Sequence, residues 1–314
     1  MTDRATSSSS DNRLGGFTLI ELLVVISIIA LLIGILLPAL SKARMTAKAA
    51  TCAARMSQIS VGWGIYADEN KGTMVPGQPG RFGDESKNVY WVGNGYQYRP
   101  RWYVQMGASA GFYAFAPPNP NRDGEHSTQI AHDVFLCPTV PMWTSTRNNA
   151  FGYNYQFLGN SRFRGDDEGR GMIHHPVKIE RVLAYAGTVM FADSLGTAAG
   201  KPESRRVPNL QSGDREPEGL ARGGHGYALD PPRLTGSSDY ADTRLSSPDH
   251  RSGPDMRHVG GANVAFCDGH VTRMTAAEMG YLVNRDGSIA FSGGESTNRL
   301  FSGTARDEDP PSVN

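Results

Sequence analysis

The sequence has no surplus of charge. Among its 314 residues, Lys and Arg number 31 and Asp and Glu also number 31. A phosphate-binding surface needs clustered Lys and Arg in excess, so nucleic acid is not an expected partner. Cysteine is equally scarce. Cys52, Cys137 and Cys267 are too few for a disulfide-built scaffold and show neither CxxC nor zinc-ribbon spacing. A structural zinc site of the thiolate kind is therefore not expected. Two states of the thiols stay open: all three buried and reduced, or Cys52 paired with Cys137 in an oxidising compartment with Cys267 left free in an apolar run. No HExxH run is present, and no P-loop Lys-Ser/Thr follows Gly223-Gly224-His225-Gly226, which reads as a flexible loop.

What the chain does have is one long apolar run. Residues 1–16, MTDRATSSSSDNRLGG, are polar and Ser-rich and cannot form part of a core. Phe17 to Leu37, FTLIELLVVISIIALLIGILL, then gives 21 residues in which Glu21 carries the only charge. As a helix this run would be about 31 Å long, the thickness of a bilayer's hydrocarbon layer. A secretory signal places its small-residue cleavage site after the apolar run. Here Gly15-Gly16 stands before it, so a cut after Gly16 would leave Phe17 as the first residue and the apolar helix in place.

Glu21 is the informative side chain. A carboxylate one turn inside a membrane helix is costly and persists where it has a partner. The α-amino group of Phe17 on a neighbouring copy would be a suitable cation, offset by about one helical turn. The plainer reading is an ordinary anchor whose Glu21 reaches the headgroups.

Gly16-Phe17-Thr18-Leu19-Ile20-Glu21 followed by LLVVISIIALLIGILLPAL resembles the N-terminal signal of type IV prepilins and type II secretion pseudopilins. The resemblance implies a prepilin peptidase that cuts between Gly16 and Phe17 and methylates Phe17, with Glu21 supporting assembly with other pilin or pseudopilin subunits. It also implies a single pass through inner membrane lipid with the head in the periplasm. Positive charge argues the other way: Arg4 and Arg13 precede the span, whereas Lys42, Arg44, Lys48 and Arg55 follow it. The peptidase's cytoplasmic cut is taken to decide the orientation.

Past Pro38 the helical pattern continues through Met45, Ala49, Cys52, Met56, Ile59, Trp63 and Tyr66, spaced alternately by four and three, with no acidic residue before Asp68. Asn70-Lys71-Gly72 and Pro76 end it. Residues 73 to 195 alternate short aromatic or β-branched runs with Gly, Pro and Asn, as in NVYWVG, RWYVQM, DVFLCP, FGYNYQFLG and VLAYAGTVMFADS, which predicts an antiparallel sheet. Residues 196–255 hold few large apolar side chains and read as a surface insertion. The expected layout is a leader over 1–16, a transmembrane half-helix over 17–37, a periplasmic half-helix over 38–70, a β-rich head over 71–285 and a polar tail over 286–314. The fold class is α+β and pilin-like.

RHVGGANVAFCDGHVTRM, Arg257 to Met274, reads as a hairpin with strands at Asn263–Cys267 and His270–Arg273 joined by the two-residue turn Asp268-Gly269. With nine residues between His258 and Asp268, it resembles the H-X9-DG domain attached to prepilin-type N-termini in planctomycete families. That resemblance extends over most of the chain through CAARMSQISVGWGIYADENKGTMVP, FLCP, FGYN and MFADS, and it supplies architecture rather than chemistry. His258, Asp268 and His270, with Asp193 of the FADS run, are candidate metal ligands. The competing reading is structural hydrogen bonding, since Asp in Asp-Gly commonly serves its own turn. No cofactor is required. The open alternatives are a divalent metal there or calcium in the oxygen-rich run Arg164 to Gly171. Trp143, Tyr153 and Tyr155 read as head packing or an exposed aromatic surface.

The function expected is that of a structural, non-enzymatic filament subunit. Its rival is a membrane-tethered binding module or metal-dependent hydrolase using the His258, Asp268 and His270 region.

Overall fold

The computed structural model describes residues 18–77, 79, 83–117, 130–140, 149–159, 161–162, 173–174, 178–206, 226–234, 251–291 and 294–310. The chain divides into two compact units, residues 1–45 and 46–314.

In the first unit every described residue is helical except Thr18, and every one is exposed. These residues begin helix α1, Leu19–Glu69, which contains Pro38 without an interruption in its assignment. Ser27 returns its hydroxyl to the Leu23 carbonyl at 2.7 Å, so that hydroxyl is satisfied within the helix.

In the second unit, α1 buries Cys52, Met56, Ile59 and Trp63, the middle of the predicted stripe. Full burial of each large member contributes about 1.5–3 kcal/mol. Met45 at the start of the stripe is exposed. Gly62 is also buried, because a Cβ there would meet Ala110 Cβ at 3.0 Å and Met106 Sδ at 3.2 Å. That close approach brings in helix α2, Trp102–Ala110, which ends at Gly111 in the left-handed region.

The strands follow as β1 (Val89–Trp91), β2 (Tyr96–Tyr98), β3 (Phe151–Asn154), β4 (Ser161–Arg162), β5 (Ile173–His174), β6 (Val189–Gly196), β7 (Ala228–Leu229), β8 (Gly253–Pro254), β9 (Ala262–Phe266), β10 (Val271–Met274), β11 (Leu282–Val283) and β12 (Ile289–Ala290). The main sheet runs β10-β9-β6-β3-β7, with β8 also paired to β6. It is mixed rather than purely antiparallel, because β3 and β7 are parallel. The fold is thus α+β: a long N-terminal apolar helix followed by a mixed-sheet head with long loops.

Both faces of the sheet are covered. One carries the α1 stripe, α2, Tyr153, Phe191 and Ala265; the other carries Val189, Ala192, Val264, Phe266, Tyr281, Phe291 and Phe301. Met190 and Phe191 share a face because the register of β6 against β9 shifts between Val189 and Phe191. Trp102 centres the first face. Its ring lies 4.7 Å from Phe191 and 5.8 Å from Tyr153, and its indole N–H donates to the Tyr227 carbonyl at 2.7 Å.

Several local expectations differ from what forms. FGYNYQFLG is a strand only to Asn154, then turns through Tyr155–Gly159, where Gly77 N–H donates to the Gly159 carbonyl at 3.2 Å. DVFLCP forms a short 3₁₀ turn, Asp133–Phe135, started by the His132 side chain accepting from Val134 N–H. The stretch 196–255, read as a surface insertion, supplies β7 and β8 to the sheet, with Leu229 fully buried. Backbone pairing, and not side-chain bulk, carries these segments inward, which composition does not register. Residues 207–225 and 235–250 of that stretch lie outside the described residues. The polar tail expected over 286–314 instead packs Ile289, Phe291 and Phe301 into the head.

Candidate functional site

Two places carry chemistry, one in each unit. At the start of α1, Thr18 sits at the N-cap and Glu21 three residues on. Thr18 N–H and Thr18 Oγ1 both donate to Glu21 Oε2, at 2.9 and 2.8 Å, and Glu21 N–H returns to Thr18 Oγ1 at 3.3 Å. This is a capping box, and it satisfies helix-end donors that would otherwise face an apolar medium. The spacing Thr-x-x-Glu before an apolar run is its sequence signal, and the reading of Glu21 as an assembly or headgroup contact overlooked it. Both side-chain bonds fall on Oε2. Gly16 and Phe17 lie outside the described residues, as do Trp143, Arg164 to Gly171 and Gly223 to His225; Tyr153 and Tyr155 are buried in the head.

The head gathers four of the remaining predicted residues. Cys52 on α1, Cys137 after the 3₁₀ turn, Asp193 on β6 and His258 ahead of β9 place their ligand atoms within 4.8 Å of one another, all buried. Cys52 Sγ donates to Asp193 Oδ1 at 3.4 Å, Cys137 Sγ and His258 Nε2 are 3.4 Å apart, and His258 Nε2 stands 3.4 Å from Asp193 Oδ2. From sequence, Cys52 and Cys137 figure only as a candidate disulfide, and Asp193 and His258 only as candidate metal ligands together with Asp268 and His270. All three cysteines are free thiols, and Cys267 is also buried but lies apart from the group.

Each element delivers its side chain for a local reason. Asp193 lies in the central strand, where a wholly buried carboxylate requires partners. Asn263 N–H donates to its Oδ2 at 2.7 Å, and the Arg257 guanidinium stands 3.5 Å from Oδ1. His258 is held by a tight turn in which His258 and Gly261 bridge across Val259 and Gly260, with φ of 54° and 78°. Positive φ at both central positions suits Gly260 and strains Val259. Arg257 is clamped by the carbonyls of Ala150 and Ser194, at 2.8 and 2.9 Å, and reaches Asp255 at 3.2 Å. The His258 ring makes its polar contacts through Nε2, since Nδ1 is buried with no hydrogen-bond partner among the described residues.

Ionisation inside the cluster is uneven. The neighbouring Cys52 thiol, helped by His258 and Arg257 against the effect of burial, pulls Cys137 down to about 4. The closeness of Cys137, together with burial and the Asp193 charge, pushes Cys52 up. Burial opposes the imidazolium of His258, but its contacts with Asp193 and Cys137 outweigh that and raise it to about 9. Burial raises Asp255.

Asp268 and His270 do not join this group. His270 Nδ1 lies 2.6 Å from Asp268 Oδ1, which also accepts His270 N–H at 3.1 Å, and the His270 ring stacks on Phe266 at 4.4 Å. Phe266 N–H donates to His270 O, so the hairpin loop is Cys267-Asp268-Gly269, three residues and not two, with Gly269 at φ 89°. Among the described residues no cluster of three or more potential ligands includes either side chain.

No curated protein and no solved structure matches the chain. Residues 12–37 match the family model described as the prokaryotic N-terminal methylation motif. That segment contains the Gly16-Phe17 junction, the Thr18–Glu21 cap and the exposed apolar half of α1. The chain therefore carries the N-terminus of a type IV pilin-like protein, on a head that these comparisons leave unassigned.

Proposed function

We propose that the chain is a pseudopilin-like structural subunit of a type II secretion or type IV pilus-like filament. A prepilin peptidase would cut between Gly16 and Phe17 and methylate Phe17. Residues 17–37 would lie in inner membrane lipid, with the head in the periplasm, and the head would belong to the H-X9-DG group that its hairpin resembles. The observation that carries this reading is the coincidence of the matched motif at 12–37 with a helical segment exposing every large apolar side chain from Leu19 to Leu37. An apolar surface of that extent needs lipid or neighbouring copies to cover it.

In the filament, Glu21 has two tasks. It caps its own helix through Thr18, and its charge meets the Phe17 amine of the next subunit. Gln keeps the geometry of a capping box while removing the charge, so Glu21→Gln separates the two tasks. The full chain carrying Glu21→Gln should be processed normally yet fail to appear in sheared filament fractions. Mass spectrometry of the wild-type protein should find an N-terminus at methylated Phe17. A mature protein that still begins at Met1 overturns the proposal, and Glu21→Gln assembling as well as wild type overturns the charge-pairing part of it. Asp268 and His270 engage each other at an exposed turn, which takes two of the three groups from the rival hydrolase reading.

A further inference from the structure

The buried head cluster has the composition and spacing of a metal site, and it stands independently of the filament reading. Its four side chains come from segments far apart in the chain: Cys52 and Asp193 are 141 residues apart, and Cys137 and His258 are 121 apart. They converge in the interior, where their polar partners among the described residues include each other, Arg257, Asn263 N–H and Thr139.

The distances decide what the cluster is suited to. A tetrahedral zinc with bonds of about 2.3 Å to sulfur and about 2.0–2.2 Å to nitrogen or oxygen sets a sulfur about 3.5 Å from a nitrogen or oxygen ligand, and nitrogen about 3.4 Å from oxygen. The protein has 3.4 Å for Cys137 Sγ to His258 Nε2, and 3.4 Å from each of Cys52 Sγ and His258 Nε2 to Asp193, the first to Oδ1 and the second to Oδ2, with all four ligand atoms within 4.8 Å of one another. The separation of His258 Nε2 from Asp193 Oδ2 is at the long end for an N–H···O hydrogen bond and equals the nitrogen-to-oxygen edge of a zinc tetrahedron.

The charges agree with the geometry. Two thiolates, one carboxylate and a neutral imidazole around Zn²⁺ leave one net negative charge, and Arg257, 3.5 Å from Asp193, offsets it. A neighbouring acid, Asp255, answers Arg257 in turn. Two thiolates with one imidazole and one carboxylate suit zinc rather than calcium or magnesium, which take oxygen ligands.

We infer that Cys52, Cys137, Asp193 and His258 form a structural zinc site that pins the second half of α1 to the central strand of the head. With four protein ligands and no exposed member, the site has no open position for substrate, as in closed structural sites and unlike catalytic ones. Binding sends to solvent the protons that Cys52 Sγ, Cys137 Sγ and His258 Nε2 carry in the metal-free protein. The reading reverses the expectation, drawn from local spacing, that thiolate zinc is absent.

The test uses the full chain, purified from membranes in detergent with reductant and without chelator. Elemental analysis should give about one zinc per chain, and Cys137→Ser should bring that close to zero. The double variant Asp268→Asn, His270→Ala should keep it. Because Cys137→Ser is a core change, a second measurement is made on the wild type. After removal of zinc by chelator, added Co²⁺ should produce a thiolate-to-cobalt charge-transfer band and the intense visible bands of tetrahedral coordination, both lost when zinc is returned. Reduced wild-type protein that holds no metal and gives no cobalt spectrum overturns the inference. So does protein isolated without reductant that carries a Cys52–Cys137 disulfide in place of metal, or a spectrum of octahedral type.

Discussion

Leu19 to Leu37 and Thr46 to Glu69 belong to one helix by assignment, yet they solve opposite problems. The first stretch is apolar all round and exposes every side chain; the second is mixed and buries one stripe, Cys52, Met56, Ile59 and Trp63. A helix needs an apolar stripe to rest on a protein core and an apolar circumference to rest in lipid or among copies of itself. The same backbone therefore has its environment written in the angular spread of its apolar residues. The single carboxylate of the first stretch is spent on a cap, whereas the buried carboxylate opposite the second is spent on a cluster.

The largest effect expected from this contrast is on packing. Ile59→Ala should lower the unfolding free energy of the head by about 2–5 kcal/mol, whereas Ile28→Ala should leave it unchanged. Denaturant unfolding of the detergent-solubilised full chain, followed by tryptophan fluorescence, measures both, and equal losses would erase the distinction between the two halves.

A smaller effect comes from the capping boxes, because the head contains a twin of the first. Thr275 N–H and Oγ1 donate to Glu278 Oε2 at 2.7 and 2.9 Å, and Glu278 N–H returns to Thr275 Oγ1 at 3.3 Å. Thr275→Ala should cost the head about 1 kcal/mol. Thr18→Ala should cost the head nothing and should instead speed amide exchange over the first turn of α1. Loss of head stability from Thr18→Ala would show that the two units do not stand apart energetically.

The smallest effect is electrostatic. Burial nudges the Asp268 carboxyl up, but its bonds from His270 outweigh that and hold it below the usual carboxylate range. The contribution is present above about pH 4 and drains away as pH falls through the lowered value. At a partly exposed turn it amounts to about 0.5 kcal/mol or less. Melting curves of wild type and Asp268→Asn below pH 4 should converge; a constant gap between them would place the contribution elsewhere.

The sequence made the long-range layout legible and the site only in fragments. Periodicity marked the Cys52–Trp63 stripe because a buried helix face must repeat every three or four residues. The FADS run was legible as a strand, and Asp-Gly as a turn, for equally local reasons. The cluster was not. Cys52 with Cys137 was visible as a candidate disulfide, and Asp193 with His258 only inside a set that also held Asp268 and His270, but the order β9-β6-β3 beside α1 is what brings the four together, and strand order is not a local property. His270 was grouped with His258 on proximity in sequence, whereas its ring turns to stack on Phe266. The bends in FGYNYQFLG and the inward course of Ala228–Leu229 depend on backbone pairing with distant partners and leave no mark on composition.

One consequence of the sheet order concerns timing during biosynthesis. Strand β6 has its long antiparallel neighbour in β9, whose residues 262–266 emerge from the ribosome well after β6 itself, and Asp193 takes its backbone donor from Asn263. Until that late segment arrives, a charged carboxylate and an open strand edge sit in the middle of an unfinished interior. The head therefore completes its fold only once β9 has emerged, well after the apolar N-terminal segment.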